Sequence, residues 1–270
     1  TQRGHKVEIK IIKTQGDIIQ HLSFDKMEGK GFFTKELESE LLAGAIDLAV
    51  HSHKDLETNF PEGLTIAAVS EREDPSELLL IHPSAVDPTQ QWQLKKGAVI
   101  GTSSARRKAQ VVHFRPDLTI NDLRGNVPTR IDKLRSGQYD AILLAKAGVS
   151  RLKLDLSDLY VETLSPLTFI PAPAQGVLGL QIRESDKHLA QILAALNNST
   201  VAERIAKERK ILNLLEGGCQ LPLGAYCPND EECYVAFSKD WTKGAVFKHY
   251  QLSKDSTVNH IVDELQMIQM

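Results

Sequence analysis

Arginine and lysine crowd one stretch of this sequence. Between Ala98 and Lys153 stand eleven of them against four aspartates, a local balance of +7 in a chain whose net charge is −3. Placement says more than number. Thr102-Ser103-Ser104-Ala105-Arg106-Arg107 reads as the end of a strand running into the start of a helix, and Arg124-Gly125-Asn126-Val127-Pro128-Thr129-Arg130 reads as a second helix start, with Pro128 suited to a first helical position. A helix start presents free N–H groups and the positive end of the helix dipole, so arginines there oppose the dipole unless an anion lies between them. Two such starts predict an anion-binding wall. The guanidinium fork, which pairs bidentately with carboxylates and phosphates, narrows the ligand to those groups. A bare count of arginines would be explained as well by a solvated basic face; the doubled helix start weighs against that.

Two further segments carry reactive side chains. His51-Ser52-His53-Lys54-Asp55 follows the apolar run Ile46–Val50, which reads as a buried strand, and ligands of parallel α/β sheets sit at the carboxyl ends of strands. Lys54 brings a cation there and Asp55 an acid or base, although polar residues after a strand are more often turn formers and a histidine is more often structural. Leu215-Glu216-Gly217-Gly218-Cys219-Gln220-Leu221-Pro222 puts a cysteine between glycines just past a helix. Such a cysteine can act as a nucleophile or covalent anchor. Its spacing alone favours a buried cysteine in a helix C-terminal turn, with Gly217 as the cap. The three cysteines, Cys219, Cys227 and Cys233, are odd in number and spaced unlike zinc ligands, which predicts a reducing, cytoplasmic setting.

The elements that must position these groups alternate strand and helix in the first half. Strands are expected at Val7–Ile12, Ile46–Val50, Leu64–Val69, Ala98–Ile100, Leu118–Ile120 and Tyr139–Leu144. Helices are expected at Lys35–Ala43, Ser104–Phe114 and Pro128–Leu134. This pattern predicts α/β domains with mostly parallel sheets. In the last third, Thr200 and Glu203 form a capping box ahead of a long helix whose face is marked by Val201, Ile205, Leu212 and Leu215. Strands at Tyr234–Phe237 and His249–Leu252 and a helix near Val258–Met267 complete a small α+β domain. Pro-marked segments at Glu73–Pro75 and Thr168–Pro173 are the hinge candidates. With 270 residues the chain has room for two or three domains, and 41% hydrophobic with 25% charged residues is ordinary for a globular protein.

Composition and motifs also exclude. No apolar run is long enough for a membrane helix, no signal peptide is visible, and neither a Walker A nor a G-x-G-x-x-G motif is present. Aromatics make up only 6% of the chain, which weighs against a nucleic-acid binder. A non-enzymatic anion receptor of the periplasmic type would account for two α/β lobes and the arginines, but needs neither Cys219 nor a third domain.

Taken together, Lys30-Gly31-Phe32-Phe33-Thr34-Lys35-Glu36-Leu37, Val50–Asp55, Glu71-Arg72-Glu73-Asp74-Pro75, Gly101–Arg107, Leu123–Val127, Pro173-Ala174-Gln175-Gly176 and Leu215–Gln220 resemble the porphobilinogen deaminases, in family order and over nearly the whole chain. The resemblance implies two periplasmic-binding-protein-like α/β domains with a cleft between them, plus a small α+β C-terminal domain. It places domain 1 at residues 1–75 and 172–196, domain 2 at 76–171 and domain 3 at 197–270. It implies a transferase that joins four porphobilinogens head to tail into hydroxymethylbilane, with release of ammonia. The growing chain is carried on a dipyrromethane cofactor thioether-linked to Cys219. It assigns Asp55 as the catalytic carboxylate, and Lys54, Ser52, Thr102, Ser103, Ser104, Arg106, Arg107, Arg124 and Gly125 as cofactor contacts. Arg124, Arg130, Arg151 and Gln175 become substrate contacts. Its partners are then the small-molecule substrate alone, with no nucleic acid, membrane or metal, in a monomer. The family pattern also has an N-terminal strand with an Arg-x-Ser-type motif, which lies ahead of anything in this sequence, and activity is expected to depend on it. His53 stands where Met is usual, and Glu57 where Pro is common.

Overall fold

The computed structural model describes residues 4–12, 14, 34–215, 221–252 and 258–268. In chain order these hold α1 (Lys35–Leu42), β1 (Ala49–Ser52), β2 (Leu64–Val69), β3 (Glu77–Ile81), β4 (Val99–Gly101), α2 (Ala105–Phe114), β5 (Thr119–Asn121), α3 (Val127–Arg135), β6 (Ala141–Ala145), α4 (Lys146–Leu152) and β7 (Tyr160–Leu164). There follow β8 (Leu178–Arg183), α5 (Lys187–Ala194), α6 (Ser199–Leu214), β9 (Leu223–Tyr226), β10 (Glu232–Phe237), β11 (Val246–Gln251) and α7 (Val258–Gln266). The expected α/β class is observed.

Three sheets organise the chain. In the first, β8 returns from far along the sequence and lies antiparallel between β1 and β2. The second has the order β5-β4-β6-β3-β7. Only the β4 pairings with β5 and β6 are parallel there, while β3 runs antiparallel to both β6 and β7. The expectation of mostly parallel sheets is therefore corrected. Parallel pairing is enforced where a helix carries the chain over one sheet, but β3 and β8 each enter their sheet from the other one. The third sheet is the antiparallel meander β9-β10-β11, with Ile211 of α6 and Ile261, Val262 and Leu265 of α7 in its core.

β3 is the spine of the second sheet. All five of its residues are buried, because helices cover both faces. Leu79 and Ile81 pack on one face with Val111 of α2, and Leu78 and Leu80 on the other with Ile131 and Leu134 of α3. Its neighbours contribute in register, so the strand reads as one continuous apolar run rather than an alternation.

Other expectations shift at their edges. Val7–Ile12 forms no strand among the described residues, and Val7, Ile9 and Ile11 are exposed; β-branched residues favour extended backbone but make a strand only with a ladder partner. β1 starts at Ala49 and is only half buried, since Val50 and Ser52 face outward while Ala49 and His51 face in. The capping box at Thr200 is not formed: α6 already begins at Ser199, with Asn198 as the cap, its Oδ1 accepting from Val201 N at 3.0 Å.

Candidate functional site

Strand alternation puts Glu77 on the same face of β3 as Leu79 and Ile81, the face that α2 crosses. The first turn of α2 carries Arg106 and Arg107. Arg106 Nη2 donates to Glu77 Oε1 at 2.7 Å and Arg107 Nη2 to Glu77 Oε2 at 2.7 Å. The other fork nitrogens reach Ile170 O and Leu143 O, each at 3.0 Å. The anion that two arginines at a helix start require is thus supplied by the protein itself. Glu77 is fully buried, yet the two guanidiniums outweigh the cost of desolvation and hold its carboxyl down at about 2. Lys108, the next residue, pairs with Asp122 at 2.7 Å and lies over the Trp241 ring.

The hydroxyls before α2 hold the next loop. Ser104 caps α2. Thr102 Oγ1 accepts from Ser104 N at 3.2 Å. Ser103 Oγ donates to Leu123 O at 3.1 Å and accepts from Leu123 N at 3.0 Å, which fixes the backbone entering Arg124. Gly125 follows with φ +114, and a Cβ there would meet Thr129 Cγ2 at 2.9 Å, so glycine is needed on both counts. Asn126 caps α3, and Arg130 Nε donates to Gly125 O at 2.6 Å. Burial lowers Arg130 to about 10, with Arg107 and Arg124 pushing the same way and Asp55 opposing.

From the first sheet, β1 delivers a single 3-10 turn, His53–Asp55. His51 is a strut: its Nε2 bonds Gln181 Oε1 at 2.9 Å, and Gln181 Nε2 donates to Glu38 Oε1 at 3.1 Å, joining β1, β8 and α1. His53 is buried against Gly179, and burial together with Arg209 lowers its pKa to about 4, so it is neutral. Lys54 points to the second sheet. Burial lowers it to about 8; Asp55 and Glu77 offset the repulsion from Arg107 and Arg106 but not the cost of desolvation. Asp55 is exposed, and its carboxylate has no hydrogen-bond partner among the described residues.

The return passage between the sheets closes the site from behind. Gln175 is fully buried; its Oε1 accepts from Lys54 Nζ at 3.2 Å, and its Nε2 reaches Pro75 O at 2.8 Å and Glu77 Oε1 at 3.1 Å. The Gln175 amide is enclosed and joins Lys54 to Glu77. Arg151, exposed near the end of α4, donates to Gly176 O at 2.6 Å. Gly176 has φ +90, and a Cβ would lie 2.3 Å from Glu73 O.

The sequence-expected residues therefore converge. Lys54, Asp55, Arg107, Arg124 and Arg130 lie within electrostatic reach of one another across the two sheets. Arg106 and Arg107 are largely engaged by Glu77, and Thr102, Ser103 and Ser104 by local backbone. Cys219 and the Gly217 cap lie outside the described residues. Two residues escaped sequence reasoning. Glu77 could have been found from the arginines at the helix start, which call for an anion. Arg209 gave no signal, because its contacts are more than 150 residues away.

The donor set fits a polycarboxylate. Neither Lys54 nor Arg130 has an ion pair with a carboxylate among the described residues, and Arg107 Nε is buried without a partner. In this protein of the α/β class, two sheets meet at a cation-rich joint, with an acid beside it that no described residue engages. The family model "Porphobilinogen deaminase, dipyromethane cofactor binding domain" matches residues 1–191. Porphobilinogen deaminase of Oceanobacillus iheyensis is 44% identical over 87% of this chain and 75% of its own. That of Nitratidesulfovibrio vulgaris is 46% identical over 84% and 70%, and that of Bacillus subtilis 45% over 81% and 68%. The VFT2 domain of Bordetella pertussis BvgS is similar at TM-score 0.40 and 16% identity, over 64% of this chain and 72% of that one. The chain belongs to the porphobilinogen deaminase family, transferases of tetrapyrrole biosynthesis. No helix among the described residues is long and apolar enough to cross a membrane.

Proposed function

We propose that this chain links four porphobilinogens into hydroxymethylbilane, with Asp55 as its catalytic carboxylate. The observation that carries the reading is the setting of Asp55: an exposed carboxylate without a protein partner among the described residues, within electrostatic reach of Lys54 and Arg130, two cations without an ion pair among those residues. Each porphobilinogen brings an acetate and a propionate, so the growing chain is a polyanion. Lys54, Arg124, Arg130 and Arg151 bind these carboxylates, and Arg107 offers its unused Nε. A dipyrromethane held by Cys219 supplies the pyrrole carbon from which the product grows, with Ser52, Thr102, Ser103, Ser104, Arg106 and Gly125 in its surroundings. Arg106 contributes there through Glu77 and Arg107, as one charged block. When the aminomethyl nitrogen of porphobilinogen departs as ammonia, positive charge develops on the substrate pyrrole. Asp55 is free to stabilise it and to take up and return protons.

We further propose three domains, with 1–75 and 172–196 around the first sheet, 76–171 around the second and 197–270 around the third, acting as a cytoplasmic monomer. The assay is hydroxymethylbilane formation, with cofactor content read from intact mass and Cys219→Ser as the unloaded control. Asp55→Asn, which keeps size but loses charge, should lower kcat by about 10²–10³ in the cofactor-loaded protein, the scale of one lost electrostatic stabiliser. Asp55→Glu should retain more. A loaded Asp55→Asn protein with wild-type turnover would reduce Asp55 to a turn residue.

A further inference from the structure

The Asp55 carboxylate has no side chain or backbone donor to orient it among the described residues. Its position is therefore set by the backbone of the turn that carries it. That turn is pinned on the entry side by His53 N donating to Val177 O at 2.9 Å, just ahead of β8, and by buried Leu56. On the exit side its carbonyls point away from the first sheet, toward α6. There Arg209, one turn of helix beyond Ile205, spreads its fork over three of them: Nη1 donates to His53 O at 3.1 Å, and Nη2 to Leu56 O at 3.1 Å and Glu57 O at 2.5 Å. A lysine has one nitrogen and could not span them, whereas the planar fork can.

We infer that Arg209 is a positioning residue for the reaction: it locks the His53–Glu57 backbone and thereby aims Asp55. The inference rests on the proposed role of Asp55. Residue 209 sits on the helix that precedes Cys219 in sequence, so the same element that leads toward the anchoring cysteine also holds the acid's turn. The charge of Arg209 additionally helps keep His53 neutral at the turn's first position.

The experiment is a double-mutant cycle between Arg209→Gln and Asp55→Asn on full-chain, cofactor-loaded protein, with loading measured by mass. Misplacing a reacting group by about 1 Å costs on the order of 10² in rate. Arg209→Gln should therefore lower kcat by about 10–100-fold while KM stays within about twofold. Arg209→Lys should recover part of the loss. In the Asp55→Asn background Arg209→Gln should cost no more than about twofold, because nothing is left to aim. A second readout is independent of activity: amide exchange in residues 53–57 should speed up in Arg209→Gln while the β6 amides keep their protection. If Arg209→Gln does not accumulate folded, the cycle is run with Arg209→Lys. Losses that multiply in the double mutant, or a wild-type kcat in Arg209→Gln, overturn the inference. Wild-type turnover by Asp55→Asn alone would instead overturn the role of Asp55.

Discussion

Glu77 shows how much one buried carboxylate governs here. It accepts from Arg106, Arg107 and Gln175, and through Gln175 it fixes Lys54. Replacing it with Gln leaves two buried guanidiniums facing a neutral amide. The expected cost is about 3–5 kcal/mol, read from denaturant unfolding. The pH dependence has a definite sign. The folded pKa, about 2, lies below the ordinary 4.5, so this stabilisation is complete above about 4.5 and is lost as pH falls toward 2. Acid unfolding of Glu77→Gln should be correspondingly shallower in that window. Lys54 behaves oppositely as a ligand group. Lowered to about 8, it surrenders its proton early, and a bound carboxylate should restore it. Calorimetry with porphobilinogen near pH 8, in buffers of different ionisation enthalpy, should show proton uptake, with affinity weakening as pH rises above 8. Lys54→Gln should abolish the uptake. The cations of this site were legible in the sequence because they cluster along it. Glu77 was not, because its arginine partners stand 29 and 30 positions away and only the fold brings them together.

Among the elements, two capped helices were legible, Ser104 opening α2 and the start of α3 falling within a residue of Pro128, while α5, capped by Asp186, was missed. β3 was missed since a strand buried on both faces lacks alternation, and β8 since its partners β1 and β2 lie more than 100 residues earlier. The two passages between the sheets were marked only by their prolines. The second holds Ala174 at φ 62 and Gly176 at φ +90, in a backbone that the first passage touches directly, with Glu73 N donating to Gly176 O at 3.0 Å. Gly176→Ala would drive a methyl group into Glu73 O and should cost well over about 1 kcal/mol. Gly137→Ala is the control. Its φ of +74 is similar, but a Cβ there meets nothing within 4 Å, so it bears only the left-handed backbone penalty of about 1 kcal/mol. Thermal unfolding of the two variants separates the clash from the dihedral strain.

At the scale of the whole molecule, Glu208 is the joint. It is fully buried on α6 and receives Arg72 Nη1 at 2.6 Å and Nη2 at 3.2 Å from the first passage, Ala174 N at 2.7 Å from the second, and Cys227 N at 2.8 Å from the third sheet. Arg72 also donates to Gln175 O at 2.9 Å and lies over the Tyr226 ring. One ion pair therefore ties the return passage and the C-terminal meander to the route between the first and second sheets. Removing the Arg72 charge leaves the Glu208 carboxylate buried with two amide donors and no cation, and should destabilise the protein by about 3–5 kcal/mol. The loss should fall where the units meet rather than inside any one of them. Calorimetry of Arg72→Gln is thus expected to show the unfolding of the α6–meander unit separating from that of the five-stranded sheet, whose β3 core is untouched by the change. Arg72→Gln combined with Glu208→Gln should recover part of the stability, since the double variant buries no unpaired charge. A single transition that moves uniformly in Arg72→Gln would mean that apolar contacts, rather than this ion pair, couple the units.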